Sequence, residues 1–208
     1  KRIERIATAE HLEDLYISSM SQYSLVYKGL FVAPQLKGFY QDLTDPDFES
    51  SLALFHQRYS TNTFPTWDRA QPMRYLGHNG EINTIQGNRN WLRAREPELR
   101  SPLFDENIDV LKPVTFDETS DSGSLDHALE LLVMSGRDVL HSMMMLIPEP
   151  WENMPNMDPA LKAFYEYHAS LAEPWDGPAA ISFTDGRIAG AILDRNGLRP
   201  ARYKVTRD

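Results

Sequence analysis

Towards its end the chain reads Ala179-Ala-Ile-Ser-Phe183, Thr184-Asp-Gly186, then Arg187-Ile-Ala-Gly-Ala-Ile-Leu193. Two β-forming runs joined by Asp-Gly predict an antiparallel hairpin, because these residues tolerate the positive φ of a tight turn. Another strand-like run, Arg202 to Thr206, follows. Upstream lie three helical stretches. The first starts at Ser122 or Ser124 and carries Leu125, Leu129, Leu132 and Val133 on one stripe. The second runs from an Asp138 cap through Leu146, and the third from Asp158-Pro159 to about Leu171. Before them come β-rich runs at 16–21, 23–27, 51–58 and 73–76, with helices predicted over 9–15 after a Thr8 cap, 34–40, and from Asn83 or Thr84 to about Arg95. Strands, helices and strands again do not alternate as βαβ units do. The pattern predicts an α+β fold with antiparallel sheets and segregated helices, in one domain over residues 1–208.

A net charge of −9 argues against a polyanionic partner, since nucleic-acid binding needs clustered cations. The nearest such cluster, Arg89, Arg93, Arg95 and Arg100, is interrupted by Glu96 and Glu98 and reads as a solvated helix face. The longest fully apolar block, residues 143–147, is far short of the roughly 20 residues that span a bilayer. With no signal-peptide pattern either, a cytoplasmic location is expected, with neither membrane nor nucleic acid as partner. Zero cysteines exclude disulfides and thiolate-held zinc or iron–sulfur centres within these residues. The six histidines show no metal-site spacing, and no phosphate-cradling glycine loop or serine-hydrolase elbow is present.

One constellation survives. Arg58 stands at the end of a strand-like run, the long loop Ser60–Pro72 follows, and His78-Asn-Gly80 comes after a second short run that delivers it to a turn. A fixed cation can hold a carboxylate, and amide donors can hold a developing oxyanion; Asp121 adds an anion. By residue type alone, Arg58 could equally close a strand-end ion pair, Asn-Gly could be an ordinary turn, and Asp121 could cap a helix.

The wording of these segments adds to that reading. Arg58-Tyr-Ser-Thr61, His78-Asn-Gly80 and Ser120-Asp-Ser122 resemble the glutamine-binding motifs of class II, N-terminal-nucleophile glutamine amidotransferases. The fuller runs 56–63, 70–72 and 78–85, with Gly87-Asn-Arg-Asn-Trp91 and Asp194-Arg-Asn-Gly-Leu-Arg-Pro200, are similar to glutamate synthase large chains. The resemblance implies an Ntn-hydrolase-like αββα sandwich of antiparallel sheets with helices outside. It implies Arg58 as the grip on the α-carboxylate of L-glutamine, aided by the Thr61 hydroxyl, and Asp121 as the partner of the α-ammonium. Asn79 and Gly80 become the oxyanion hole, and residues 62–72 a loop that closes on substrate.

In that family the nucleophile is an N-terminal cysteine whose own α-amine serves as base. This chain has none. The resemblance therefore implies an internal fragment holding the binding and oxyanion half of the site in an incomplete, inactive domain. The parent would split glutamine and pass ammonia to 2-oxoglutarate. Its FMN and iron–sulfur cluster would lie in its remaining domains, with a small electron-donating subunit or ferredoxin as a further partner. The alternatives are a non-catalytic domain of the same shape, or an amidotransferase with another ammonia acceptor.

Overall fold

The computed structural model describes residues 2–12, 15–57 and 64–207. Arg58 and Thr61 lie outside them. The chain is built around a three-stranded antiparallel sheet of β1 (Leu76–Gly80), β2 (Ala179–Thr184) and β3 (Ala189–Leu193), in that spatial order. Leu76 faces Phe183 and Gly80 faces Ala179 across one pair; Ala180 faces Leu193 across the other. The helices are α1 (Arg2–Ala9), α2 (Leu36–Phe39), α3 (Ile85–Arg95), α4 (Asp121–Met134), α5 (Val139–Leu146) and α6 (Pro159–Ala169). None is long and apolar enough to cross a membrane among the described residues. Helices α3 to α6 come between β1 and β2 in the sequence, so the α+β expectation holds. A second sheet, which a sandwich would need, is not seen among the described residues.

The core forms where α4 and α5 cover the sheet. Leu125, Leu129, Met143 and Leu146 pack with Leu76, Ile82, Ile181 and Phe183, and the expected stripe continues into partly buried Leu132 and Val133. Burial of each large aliphatic side chain contributes about 1.5–3 kcal/mol. Ser120 caps α4 by accepting the Gly123 N–H at 3.0 Å, so the helix starts before the expected serines, which are buried inside its first turn. Asp138 and Asp158 cap α5 and α6 as expected. The β2–β3 hairpin closes through Asp185, whose Oδ1 accepts the Arg187 and Ile188 N–H groups.

Elsewhere the expectations are corrected. The first helix lies at 2–9 rather than 9–15, and Thr8 sits within it, its hydroxyl donating back to the Glu4 carbonyl at 3.0 Å. Residues 16–21, 23–27, 51–57 and 202–206 form no strand. A β-forming alternation needs a neighbour for its backbone, and these stretches have no ladder partner among the described residues. Residues 52–56 still show the period of two: Leu52, Leu54 and His56 are half-buried while Phe55 is 79% exposed. Tyr203 and Val205 face solvent at 92% and 83%.

The strand expected at 73–76 instead runs from Leu76 to Gly80, so His78, Asn79 and Gly80 are strand residues and not a turn. The cause is Asp126 on α4. Its carboxylate accepts the N–H groups of Arg74 (3.1 Å), Tyr75 (2.9 Å) and Leu76 (3.2 Å), which pins the chain to α4 ahead of the ladder. The arginine run also differs, since Arg89 is buried and donates to Ser124 Oγ and to the carbonyls of Asp117 and Thr119.

Candidate functional site

The candidate site lies on the edge of β1 away from β2, where no other strand pairs among the described residues. Antiparallel ladders alternate between residues that exchange hydrogen bonds with the neighbour and residues whose N–H and C=O point away from it. Glu81 N–H donates to the Pro178 carbonyl at 2.8 Å, which makes Gly80, opposite Ala179, an outward-pointing position. His78 points outward too, and there the Gln71 side chain takes the place of a strand. Its Oε1 accepts the His78 N–H at 2.6 Å and its Nε2 donates to the His78 carbonyl at 2.8 Å. The next outward N–H along this edge is that of Gly80, beside the exposed Asn79.

Only glycine fits at position 80. Its φ is +152°, and a Cβ there would lie 1.7 Å from the Pro178 carbonyl oxygen. The close approach fixes the direction of the Gly80 N–H. Alternation along β1 places Asn79 on the face of Gly77, where Leu54 packs, and His78 on the face of α4. Leu54 therefore lies on the Asn79 side of the strand.

Asp121, the first residue of α4, joins the same place from the other side. Its Oδ2 accepts the Ile82 N–H at 2.8 Å, two residues past Gly80, and its Oδ1 accepts the Ser122 N–H at 2.7 Å. An ionised carboxylate offers about four lone-pair sites, so Asp121 keeps acceptor capacity for a cation. The folded chain thus fixes Asp121 at Ile82, just past Asn79 and Gly80.

Behind the strand, His78 is 2% exposed, and its Nδ1 lies 2.8 Å from Ser122 Oγ. Burial holds this imidazole below its ordinary pKa, against the pull of the Asp121 carboxylate, so the ring is neutral at pH 7. Sequence reading missed the His78–Ser122 pair, whose 44-residue separation leaves no local signal. It also missed Asp126 and Gln71. For Asp126 a signal existed: a carboxylate next to Leu125, on a helix segment otherwise occupied by core residues.

A cleft of about 1550 Å³ lies along residues 48–57 and 65–75, and its described lining includes none of Asn79, Gly80 and Asp121. Buried Lys28 reaches it, donating to Tyr16 Oη at 2.9 Å and the Trp67 carbonyl at 3.2 Å, and burial lowers its ammonium to about 8. No group of three or more potential metal ligands occurs among the described residues.

An outward glycine N–H, a neighbouring asparagine amide and a carboxylate at a helix start are what an amide-transfer site offers a small amino-acid substrate. The family comparison decides the matter: all of residues 1–208 match the model of class-II glutamine amidotransferases. The chain belongs to the class-II glutamine amidotransferases. It is 56% identical over its whole length to the NADPH glutamate synthase large chain of Bacillus subtilis (strain 168). It is 49% identical over 213 residues to the ferredoxin-dependent glutamate synthase of Pyropia yezoensis. With the NADH glutamate synthase of Saccharomyces cerevisiae it shares 52% identity over 194 residues, 93% of this chain and 9% of that protein. The chain spans 14% of the length of each of the first two relatives.

Proposed function

We propose that this amidotransferase chain contributes the glutamine-binding and oxyanion half of a glutaminase site in a glutamate synthase. Asn79 Nδ2 and the Gly80 N–H hold the oxygen that becomes negative when the substrate amide is attacked. Asp121 holds the α-ammonium, and Arg58 with Thr61 holds the α-carboxylate. The observation that carries this reading is the outward Gly80 N–H at the edge of β1, given no acceptor among the described residues, with Asn79 beside it and Asp121 fixed to Ile82. The nucleophilic thiolate comes from outside these 208 residues, which contain no cysteine. Attack forms a tetrahedral adduct, ammonia leaves, and water then cleaves the acyl-enzyme to give glutamate.

In the full-length protein, ammonia passes to 2-oxoglutarate to form a second glutamate, in the cytoplasm. FMN and an iron–sulfur cluster serve that step in other domains, with electrons from a small partner subunit or from ferredoxin. The domain as a whole takes the αββα sandwich arrangement, to which the three-stranded sheet contributes one layer.

The test uses the full-length protein. Asn79→Ala should lower kcat by about 10²–10³-fold with little change in KM, because its donor meets charge that exists only in the transition state. Equal losses in binding and rate would overturn the oxyanion assignment. One observation favours a second reading, a binding domain without catalysis: the chain has no cysteine. N-terminal sequencing of the mature full-length protein separates the two, since a cysteine as first residue rules out the non-catalytic reading.

A further inference from the structure

We propose that His78 and Ser122 are positioning residues for the α-ammonium subsite, linking the strand of the oxyanion donors to Asp121 through a directed pair of hydrogen bonds. This rests on the assignment of Asp121 to the glutamine ammonium. Ser122 Oγ lies 3.3 Å from Asp121 Oδ1 and 2.8 Å from His78 Nδ1. A hydroxyl has one proton, and it goes to the carboxylate, where the bond is charge-assisted. The second contact then requires His78 to donate from Nδ1–H.

The other ring nitrogen agrees with that tautomer. Nε2 is buried with no aligned hydrogen-bond partner among the described residues, the nearby Pro178 carbonyl being directed at the Glu81 N–H. A bare lone pair there costs less than a buried N–H with no acceptor. The chain of donation therefore runs from His78 Nδ1–H to Ser122 Oγ–H to Asp121 Oδ1. Oδ1 accepts from Ser122 N–H as well, and Oδ2 from Ile82 N–H, so three donors fix the plane of the carboxylate. The one lone-pair site left over, on Oδ2, then points in a fixed direction, which is what an ammonium N–H needs.

His78 directly precedes Asn79, so a shift of β1 moves the oxyanion donors and the ammonium anchor together. Glutamine would be held at its two ends by parts that cannot drift independently. The link asks for a neutral donor at position 78, which an imidazole kept neutral by burial supplies.

The full-length protein tests this with two substrates, L-glutamine and glutaramate, which is glutamine without its α-amino group. Ser122→Ala and His78→Leu should raise KM for glutamine about tenfold and leave kcat within about threefold, the scale of one hydrogen bond to a charged group. Neither should change kcat/KM for glutaramate. His78→Asn should restore glutamine KM to near the parent value, because its Nδ2 occupies the place of Nδ1. The proposal fails if both substrates lose equally, or if His78→Asn behaves like His78→Leu. Should His78→Leu not fold, Ser122→Ala and His78→Asn carry the same comparison. Asp121→Asn isolates the underlying assignment: equal loss on both substrates from that variant overturns the Asp121 role itself. A selective loss from Asp121→Asn without one from Ser122→Ala overturns only the link.

Discussion

Replacing Asp126 by two neutral residues of similar size isolates the hydrogen bonds that set the start of β1. In the parent, Oδ1 accepts from Tyr75 and Leu76 at 2.9 and 3.2 Å and Oδ2 from Arg74 at 3.1 Å, all in a buried site. Asp126→Asn keeps a carbonyl oxygen for Tyr75 and Leu76 and turns its amide towards Arg74, losing one bond. Asp126→Leu keeps the volume and loses all three. Both variants lack the charge, so its desolvation cancels between them, and the difference is two buried N–H groups without acceptors. At about 1–3 kcal/mol for each such group, the leucine variant should be about 2–6 kcal/mol less stable than the asparagine variant. For a chain of this size that corresponds to a Tm at least about 4 °C lower, alongside an earlier urea midpoint. Equal melting of the two variants, or a more stable leucine variant, would refute the claim that Asp126 sets the strand by hydrogen bonding.

The same carboxylate predicts a pH dependence. Burial, partly offset by its backbone N–H donors, raises Asp126 to about 6, against about 3.9 for an unfolded aspartate. The folded state then binds this proton more tightly, so its stabilising effect is complete below about pH 4 and lost as pH rises through 6. Taking the parent from pH 4.5 to 7.5 should cost about 2 kcal/mol more than the same change costs Asp126→Asn, measured by urea unfolding; parallel curves would contradict it. Arg58→Lys in the full-length protein should raise KM for glutamine more than it lowers kcat, since a carboxylate carries the same charge before and during the reaction. An equally severe loss on the decarboxylated analogue would return Arg58 to a purely structural role. The 208-residue chain alone should release no ammonia from glutamine above the buffer rate, because it has no thiol to attack with.

The helices beyond residue 120 and the closing hairpin were legible because their determinants are local. Asp138 and Asp158 satisfy N–H groups one turn away, and Asp185-Gly186 bends the chain within its own loop. The family was legible for a similar reason: residues 56–63, 78–85 and 194–200 form short, distinctive words. What the order of residues could not give was whether a β-forming run finds a partner. Residues 16–27 and 51–57 have the composition of strands and form none, because a ladder is a property of two segments and the second lies elsewhere in the chain. Nor could it give the start of β1, which Asp126 sets across 50 residues, or the His78–Ser122 contact across 44. Local sequence determined the turns, the caps and the chemical groups on offer. Only the tertiary structure decided which backbone donors were spent and which, like the Gly80 N–H, were left pointing outward, because that depends on what the fold places against each of them.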